Sequence, residues 1–319
     1  MRSSGHRAVA PPRNREEIVM ANDAGPVVVM NPRSGGGKVA RFRLIERAQA
    51  MGAQVRLTGP GQDVASLARA AIAEGAALLG VAGGDGTVAA VAAVAIEAGR
   101  PLVVIPAGTR NHFARDLGLN IRNPVSALTA LHAGDPVPVD LGQVGSRIFI
   151  NNVSFGAYAD ALLTPGYREA KARTFAEIAP GYLQGEQRID AVVDTAEGPI
   201  DGPQIVLVSN NPYDLDSLRR LGHRSALDTG RLGGIVVKHP DGTPPPDLFP
   251  RLRRELRQQG HSGPPGAGVH TWTAPRITLH STAAHLPAGI DGEPVELDLP
   301  IVCEIRPGAL QVLLPRRTT

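Results

Sequence analysis

The sequence predicts an α/β fold: an N-terminal domain built on a parallel sheet, followed by a mainly antiparallel, β-sandwich-like domain. Three observations predict it. From Pro26 to Thr109, short apolar runs alternate with glycine turns and helical stretches, the pattern of parallel strands joined by crossover helices. After about Asp140 this gives way to short strand-like runs separated by turn residues. The chain has 319 residues, 42% hydrophobic but only 3% aromatic. That length suits two cores, and they must be built from Ala, Val, Leu and Ile.

The elements follow in order. Residues 1–23 read as a disordered tail, and the α/β domain spans 24–140. Its first strand is "PVVVMNP", followed by the glycine turn "RSGGGK" and one helix over "VARFRLIERAQAMG", ending at Gly52. "AQVRLT" is the second strand and "DVASLARAAIAEG" the second helix, with Asp63 as its cap. "ALLGVAGG" is the third strand, and the turn "GGDGT" leads into a third helix ending at Gly99. "PLVVIPAGT" is the fourth strand. In such sheets the loops at the carboxyl ends of the strands carry the ligand, and these glycine turns fall there. Residues 141–319 form the β-rich domain, with its last 15 or so residues free to pack back on the first. Its strands are "RIFINNVSFG", "RIDAVVDT", "QIVLVSNNP", "RLGGIVVK", "PRITLHS", "PVELDLPIVCEI" and "ALQVLLP".

Composition excludes several classes. A single cysteine, Cys303, rules out a disulfide framework or thiolate zinc site and fits a reducing compartment. A net charge of +3 is too small to indicate nucleic-acid binding. It suits a polyanionic substrate or an anionic membrane surface. The first residues lack the apolar stretch of a signal peptide, and no run reaches the roughly 18 apolar residues of a spanning helix. The expected location is the cytoplasm, with peripheral contact at the inner membrane surface. Leu248, Leu252 and Leu256 recur at helical spacing beside Arg251, Arg253, Arg254 and Arg257. They read either as a helix packed on the second domain with a solvated basic face, or as a membrane-docking surface.

Two glycine turns bear on chemistry. "NPRSGGGK" is not a P-loop, because Pro32 and Val39 stand where that motif needs Gly and Ser or Thr. It reads as a plain tight turn or as a phosphate cradle. In "GGDGT", Asp85 would repel phosphates unless a cation bridges them, as in metal-assisted phosphoryl transfer. The alternative is that Asp85 only caps a helix starting near Val88. "IDGEPVEL" is by itself a common Asp-Gly hairpin turn.

Taken together and in this order, "NPRSGGGK", "GGDGT", "GTRNHFARDLGL", "NNVSFGAYAD", "VLVSNNPY", "IDGEPVEL" and "RPGALQVLLP" resemble the diacylglycerol kinase catalytic-domain family. That family includes bacterial lipid kinases and is related to sphingosine kinases. The resemblance runs from Val27 to Pro315; GGDGT alone is less specific, since NAD kinases share it. It implies that Mg·ATP binds in the cleft between the two domains. Asn31, Ser34, the Gly83, Gly84, Gly86 and Thr87 turn, Thr109 and Thr58 match nucleotide-contacting positions. Gly35 and Lys38 of the first turn and Asn111 of the last loop join the candidate set. Glu293 matches the general base, and Asp85 the acidic residue that orders Mg²⁺ or its waters. The implied reaction is transfer of the γ-phosphoryl group to a hydroxyl of diacylglycerol or a related lipid.

Two positions depart from the family pattern. His112 stands where the family has Asp in G-T-x-N-D-F-A-R, and "DTGRLG" replaces D-D-G-x-L-D. The second leaves Asp228 as the remaining carboxylate of a structural metal segment. Two rival readings stay open: an NAD kinase-like enzyme with a polar acceptor pocket, and a nucleotide- or lipid-binding module without catalysis.

Overall fold

The computed structural model describes residues 25–156, 159, 187–214, 222–238 and 268–316. The tail expected over 1–23 and the basic helix around Leu248 to Arg257 lie outside the described residues. Strands β1 (Val27–Met30), β2 (Gln54–Leu57), β3 (Leu79–Gly83) and β4 (Leu102–Pro106) pair in parallel in the order β2-β1-β3-β4. Helices α1 (Lys38–Arg41), α2 (Leu44–Ala50), α3 (Val64–Ala73) and α4 (Asp85–Glu97) connect them. After β4 come α5 (His112–Asp116), a 3-10 turn over Pro124–Thr129 and α6 (Ala130–Ala133).

Successive strand side chains point to opposite faces, and here both faces are covered. Val27 and Val29 of β1 meet Ala68 and Ala71 of α3 and Val91 and Ala95 of α4. Val28 and Met30 meet Val39, Leu44 and Ala48 of α1 and α2. This is why β1, β3 and β4 read as unbroken apolar runs. The expected capping of α3 is present: the Asp63 carboxylate accepts from Ala65 N and Ser66 N, both at 3.1 Å. Such a cap contributes about 1 kcal/mol.

The single helix expected over "VARFRLIERAQAMG" is two. Arg43 takes a left-handed conformation (φ 51°) and separates α1 from α2. Val39 and Leu44 would lie about 140° apart on one continuous helix, yet both are buried in the same cluster. The break turns both toward the sheet.

The β-rich part contains β5 (Gly134–Val144), β6 (Arg147–Phe149), β7 (Asn152–Gly156), β8 (Val192–Val193), β9 (Ile200–Asp201), β10 (Ile205–Asn210), β11 (Leu232–Lys238) and β12 (Gly268–Ala274). β13 (Arg276–His280), β14 (His285–Ile290), β15 (Glu293–Asp298) and β16 (Ile301–Pro315) complete it. One antiparallel sheet has the order β12-β11-β10-β7-β14-β15. It packs through Val153, Phe155, Val206 and Val208 against Ile277, Leu279 and Ile301 of β13 and β16. Cys303 is buried in this core, and burial pushes its thiol up to about 12, which fits an inert core residue.

The two parts share one strand. β16 pairs with β13 at its start, with β5 along most of its length, and in parallel with β4 at Val312 and Leu102. The sequence suggests two strands here, because Pro307-Gly308 looks like a turn. Instead the ladder to β5 shifts register between Arg306 and Leu310. The Asp140 carboxylate accepts Gly308 N at 2.8 Å and Gly230 N at 2.7 Å. β5 itself was not expected as a strand, since it contains Pro136 and Pro138. Both lie where β5 pairs with β16 alone, an open edge that tolerates residues without a donor.

A buried arginine joins the parts a second time. The Arg224 side chain is 0% exposed and the Asp116 side chain at the end of α5 is 1% exposed, with Nε to Oδ2 at 2.6 Å. Arg224 Nη1 also donates to Ile150 O (2.6 Å) and Asn210 O (2.8 Å), and Nη2 to Asn151 Oδ1 (2.9 Å). His223 Nδ1 lies 2.5 Å from Asp116 Oδ1.

Candidate active site

Because β1, β3 and β4 are parallel neighbours, the loops after them gather at one edge of the sheet. They interlock through glycine. A Cβ on Gly35 would come within 3.0 Å of the Ala107 and Gly108 carbonyl oxygens, and one on Gly108 within 3.0 Å of Gly84 Cα. Gly83 is closed in a similar way by the Thr87 side chain. By contrast a Cβ on Gly84 or Gly86 would meet nothing nearer than 3.7 Å, and Gly36 faces open space. So some of these glycines permit contact between the loops, and others leave backbone uncovered. The uncovered backbone includes the start of α4, where the first N–H groups lack helical partners and the helix dipole favours an anion.

Polar side chains in the loops serve one another. Lys38 Nζ donates to Gly108 O at 2.9 Å and Ile121 O at 3.4 Å. Burial, then the Arg41 charge, lowers its pKa. Asn111, left-handed at φ 53° and buried, accepts Gly108 N and donates to Gly108 O, both at 2.8 Å. The Asn31 side chain accepts Arg33 N at 3.1 Å. Ser34 is half-buried in the same loop, and Thr109 is exposed. Thr58, following β2, is 5% exposed, and its hydroxyl has no hydrogen-bond partner among the described residues.

Asp85 is the first residue of α4, but its side chain does not cap that helix. Oδ2 accepts His112 N at 3.2 Å and Oδ1 accepts Phe113 N at 3.1 Å. The carboxylate therefore ties the GGDGT turn to the start of α5. An ionised carboxylate offers about four lone-pair sites, so two remain. His112, which stands there in place of an acidic residue, has its pKa lowered chiefly by burial, against the pull of Asp85. The shift favours the neutral imidazole.

The β-rich part brings its own carboxylates to this edge. Glu293, exposed at the start of β15, places Oε1 3.7 Å from where a Cβ on Gly86 would sit. Two residues earlier, Asp291 is left-handed at φ 49°. Its Oδ2 accepts Ile150 N at 2.8 Å, and its Oδ1 accepts Asn151 N at 2.7 Å and Asn152 N at 3.1 Å. Burial raises the Asp291 pKa to about 6, with the three N–H groups and Arg224 opposing the rise.

The structure thus gathers Asn31, Ser34, Gly35, Lys38, the Gly83 to Thr87 turn, Thr109 and Asn111 on one edge, with Thr58 at the end of the adjacent β2 and Glu293 facing Gly86. Asp228 is exposed in the loop before β11, and no group of three His, Cys, Asp or Glu among the described residues could hold a metal by itself. Asp116, Arg224 and Asp291 were not singled out from sequence. The available signal was Asp291 in the Asp-Gly pair, which reads as turn chemistry alone.

Residues 26–144 match the family described as diacylglycerol kinase catalytic domain. A protein named probable lipid kinase YegS-like from Pseudomonas syringae pv. tomato is 30% identical over 284 residues, covering 85% of this chain and 86% of its own length. The chain belongs to the diacylglycerol kinase catalytic-domain family. It is a kinase by that membership. Another YegS-like protein of the family, from Cronobacter sakazakii, is 28% identical over 310 residues, 93% of this chain and 98% of that protein. A crystal structure of a diacylglycerol kinase from Bacillus anthracis str. Sterne shares the fold at a TM-score of 0.61 and 17% identity, over 91% of this chain and 96% of that one.

Proposed function

We propose that this kinase transfers the γ-phosphoryl group of Mg·ATP to the hydroxyl of a lipid, diacylglycerol or one of that class. The observation that carries the reading is the Glu293 carboxylate facing the GGDGT turn at Gly86. It puts a proton acceptor beside backbone suited to phosphate oxygens. Family membership supports the lipid acceptor, since the relatives carry the name lipid kinase.

The residues fit the implied nucleotide. Thr58 offers a buried hydroxyl with no partner among the described residues, and Gly84 and Gly86 leave a space that a side chain would fill. Mg²⁺ prefers one or two carboxylates plus phosphate and water oxygens, which suits Asp85 with its spare lone pairs. Asp228, exposed and without a cluster around it, has no part in this reading. Bound ATP supplies the transferable phosphoryl group, and its metal offsets the charge that develops there. Glu293 accepts the proton as the lipid oxygen attacks, then returns it to solvent. The first N–H groups of α4 hold phosphate oxygens in line, so the barrier falls by positioning and electrostatics.

Diacylglycerol, sphingosine and phosphatidylglycerol in micelles, and NAD in solution, each offered with labelled ATP, test the acceptor. Transfer to diacylglycerol is expected. Transfer to NAD alone, or none at all, would overturn the reading. No helix among the described residues is long and apolar enough to cross a membrane. The reading has the protein meet its lipid peripherally, from the cytoplasm.

The cradle has its own test in Gly86→Ala. Gly86 lies in the first turn of α4 without positive φ, where Ala is the better helix former by about 1 kcal/mol. Stability should hold or rise. The Kd for ATP should increase about tenfold, the worth of one charge-assisted hydrogen bond. Titration calorimetry giving the wild-type Kd would argue against phosphate binding there.

A further inference from the structure

We propose that Asp291 is a positioning residue for Glu293, fixing the β14–β15 turn by gathering three successive backbone N–H groups of residues 150–152. The inference rests on the kinase reading and on Glu293 as its base, and it adds how that base is held.

Glu293 begins an exposed strand at the end of a two-residue turn, where an ordinary hairpin would leave a side chain to sweep freely. The turn is instead anchored from both directions. Asp291 N donates to Asn152 O at 2.9 Å, while the Asp291 carboxylate accepts from Ile150, Asn151 and Asn152 at 2.7–3.1 Å. The three bonds to the carboxylate have an ionised acceptor, the stronger kind. They hold the residue in the left-handed conformation that a side chain otherwise disfavours.

The 150–152 segment is itself fixed. Ile150 O accepts from Arg224 Nη1 at 2.6 Å and from Asn210 Nδ2 at 3.3 Å, and Asn151 Oδ1 accepts from Arg224 Nη2. Asn152 Nδ2 donates to the hydroxyl of the half-buried Tyr213 at 2.9 Å. Arg224 continues to Asp116 on α5, and α5 begins on the Asp85 carboxylate. Hydrogen bonds therefore run from the Glu293 turn around to the GGDGT turn that Glu293 faces. Asp291 is the link nearest the base.

The charged and titratable groups facing Asp291 are Arg224 and Tyr213, with Asp116 and His223 beyond the arginine. When Asp291 takes a proton, one oxygen becomes a hydroxyl and the N–H it served loses its acceptor. The turn is then held by fewer bonds, so turnover should fall as pH drops through about 6.

The test is a double-mutant cycle. Asp291→Asn is expected to lower kcat on the order of 10²-fold, the effect of misplacing a reacting group by about 1 Å, while the Kd for ATP stays put. In a Glu293→Gln background the same substitution should change kcat less than threefold, because there is no base left to position. Asp291→Asn should also lose the decline near pH 6. Equal losses in both backgrounds, or wild-type kcat with an unchanged pH profile, would overturn the proposal. If Asp291→Asn does not fold in urea titration, the wild-type profile decides: a decline near pH 6 with circular dichroism unchanged supports the proposal, and no decline sinks it. An inactive wild type on every lipid would instead strike at the kinase reading.

Discussion

Glu293→Gln is expected to lower kcat by 10²–10⁴-fold, about 3–5 kcal/mol of barrier, with ATP affinity little changed. Glutamine keeps the size and reach of the side chain next to Gly86 but cannot take the proton of the attacking hydroxyl. Phosphate positioning by α4 and the glycine loops survives, so the residual rate should remain above the uncatalysed one. Steady-state turnover with the lipid acceptor, together with calorimetric titration of ATP, gives both quantities. Wild-type turnover in this variant would remove Glu293 from the chemistry.

Arg224→Met is expected to destabilise the protein by about 3–5 kcal/mol, the usual cost of breaking a buried ion pair from one side. Asp116, 1% exposed, would keep only the His223 ring and the backbone N–H of residue 224, both on Oδ1, and its Oδ2 would lose the guanidinium. The oxygens of Ile150, Asn151 and Asn210 would also lose donors inside the fold. Adding Asp116→Leu should recover part of the loss, since no carboxylate is then stranded. Urea unfolding measures both. A change below about 1 kcal/mol in the single variant would mean that the junction opens and hydrates readily.

The parallel sheet was legible because strands covered on both faces become continuous apolar runs, as in "VVVM" and "LVVIP". The gathering of the glycine turns follows from that topology. Less legible was what each polar side chain touches. Asp85 bonds backbone 27 residues away, and Lys38 a carbonyl 70 residues away. No local spacing encodes such partners. β5 stayed hidden because its prolines argue against a strand unless one knows that its edge is open. Arg224 sits in "GHRSAL", which has no periodicity, and only the fold brings it to Asp116.

β16 has a consequence for how the protein is made. It supplies the neighbour of β4 in the N-terminal sheet, yet Gly308 and the Asp140 it bonds are 168 residues apart. During synthesis β1 to β5 leave the ribosome long before that partner exists. Until then one margin of the young sheet stays unpaired, with its long-range pairing still to come. Chaperone capture should therefore peak late in translation. Ribosome-bound chains stopped before Ile301 should show little amide protection in β4 and β5 by pulse-labelled hydrogen exchange, whereas released full-length chains should protect both. Protection already present in the stalled chains would mean that the first half folds without waiting for the last strand.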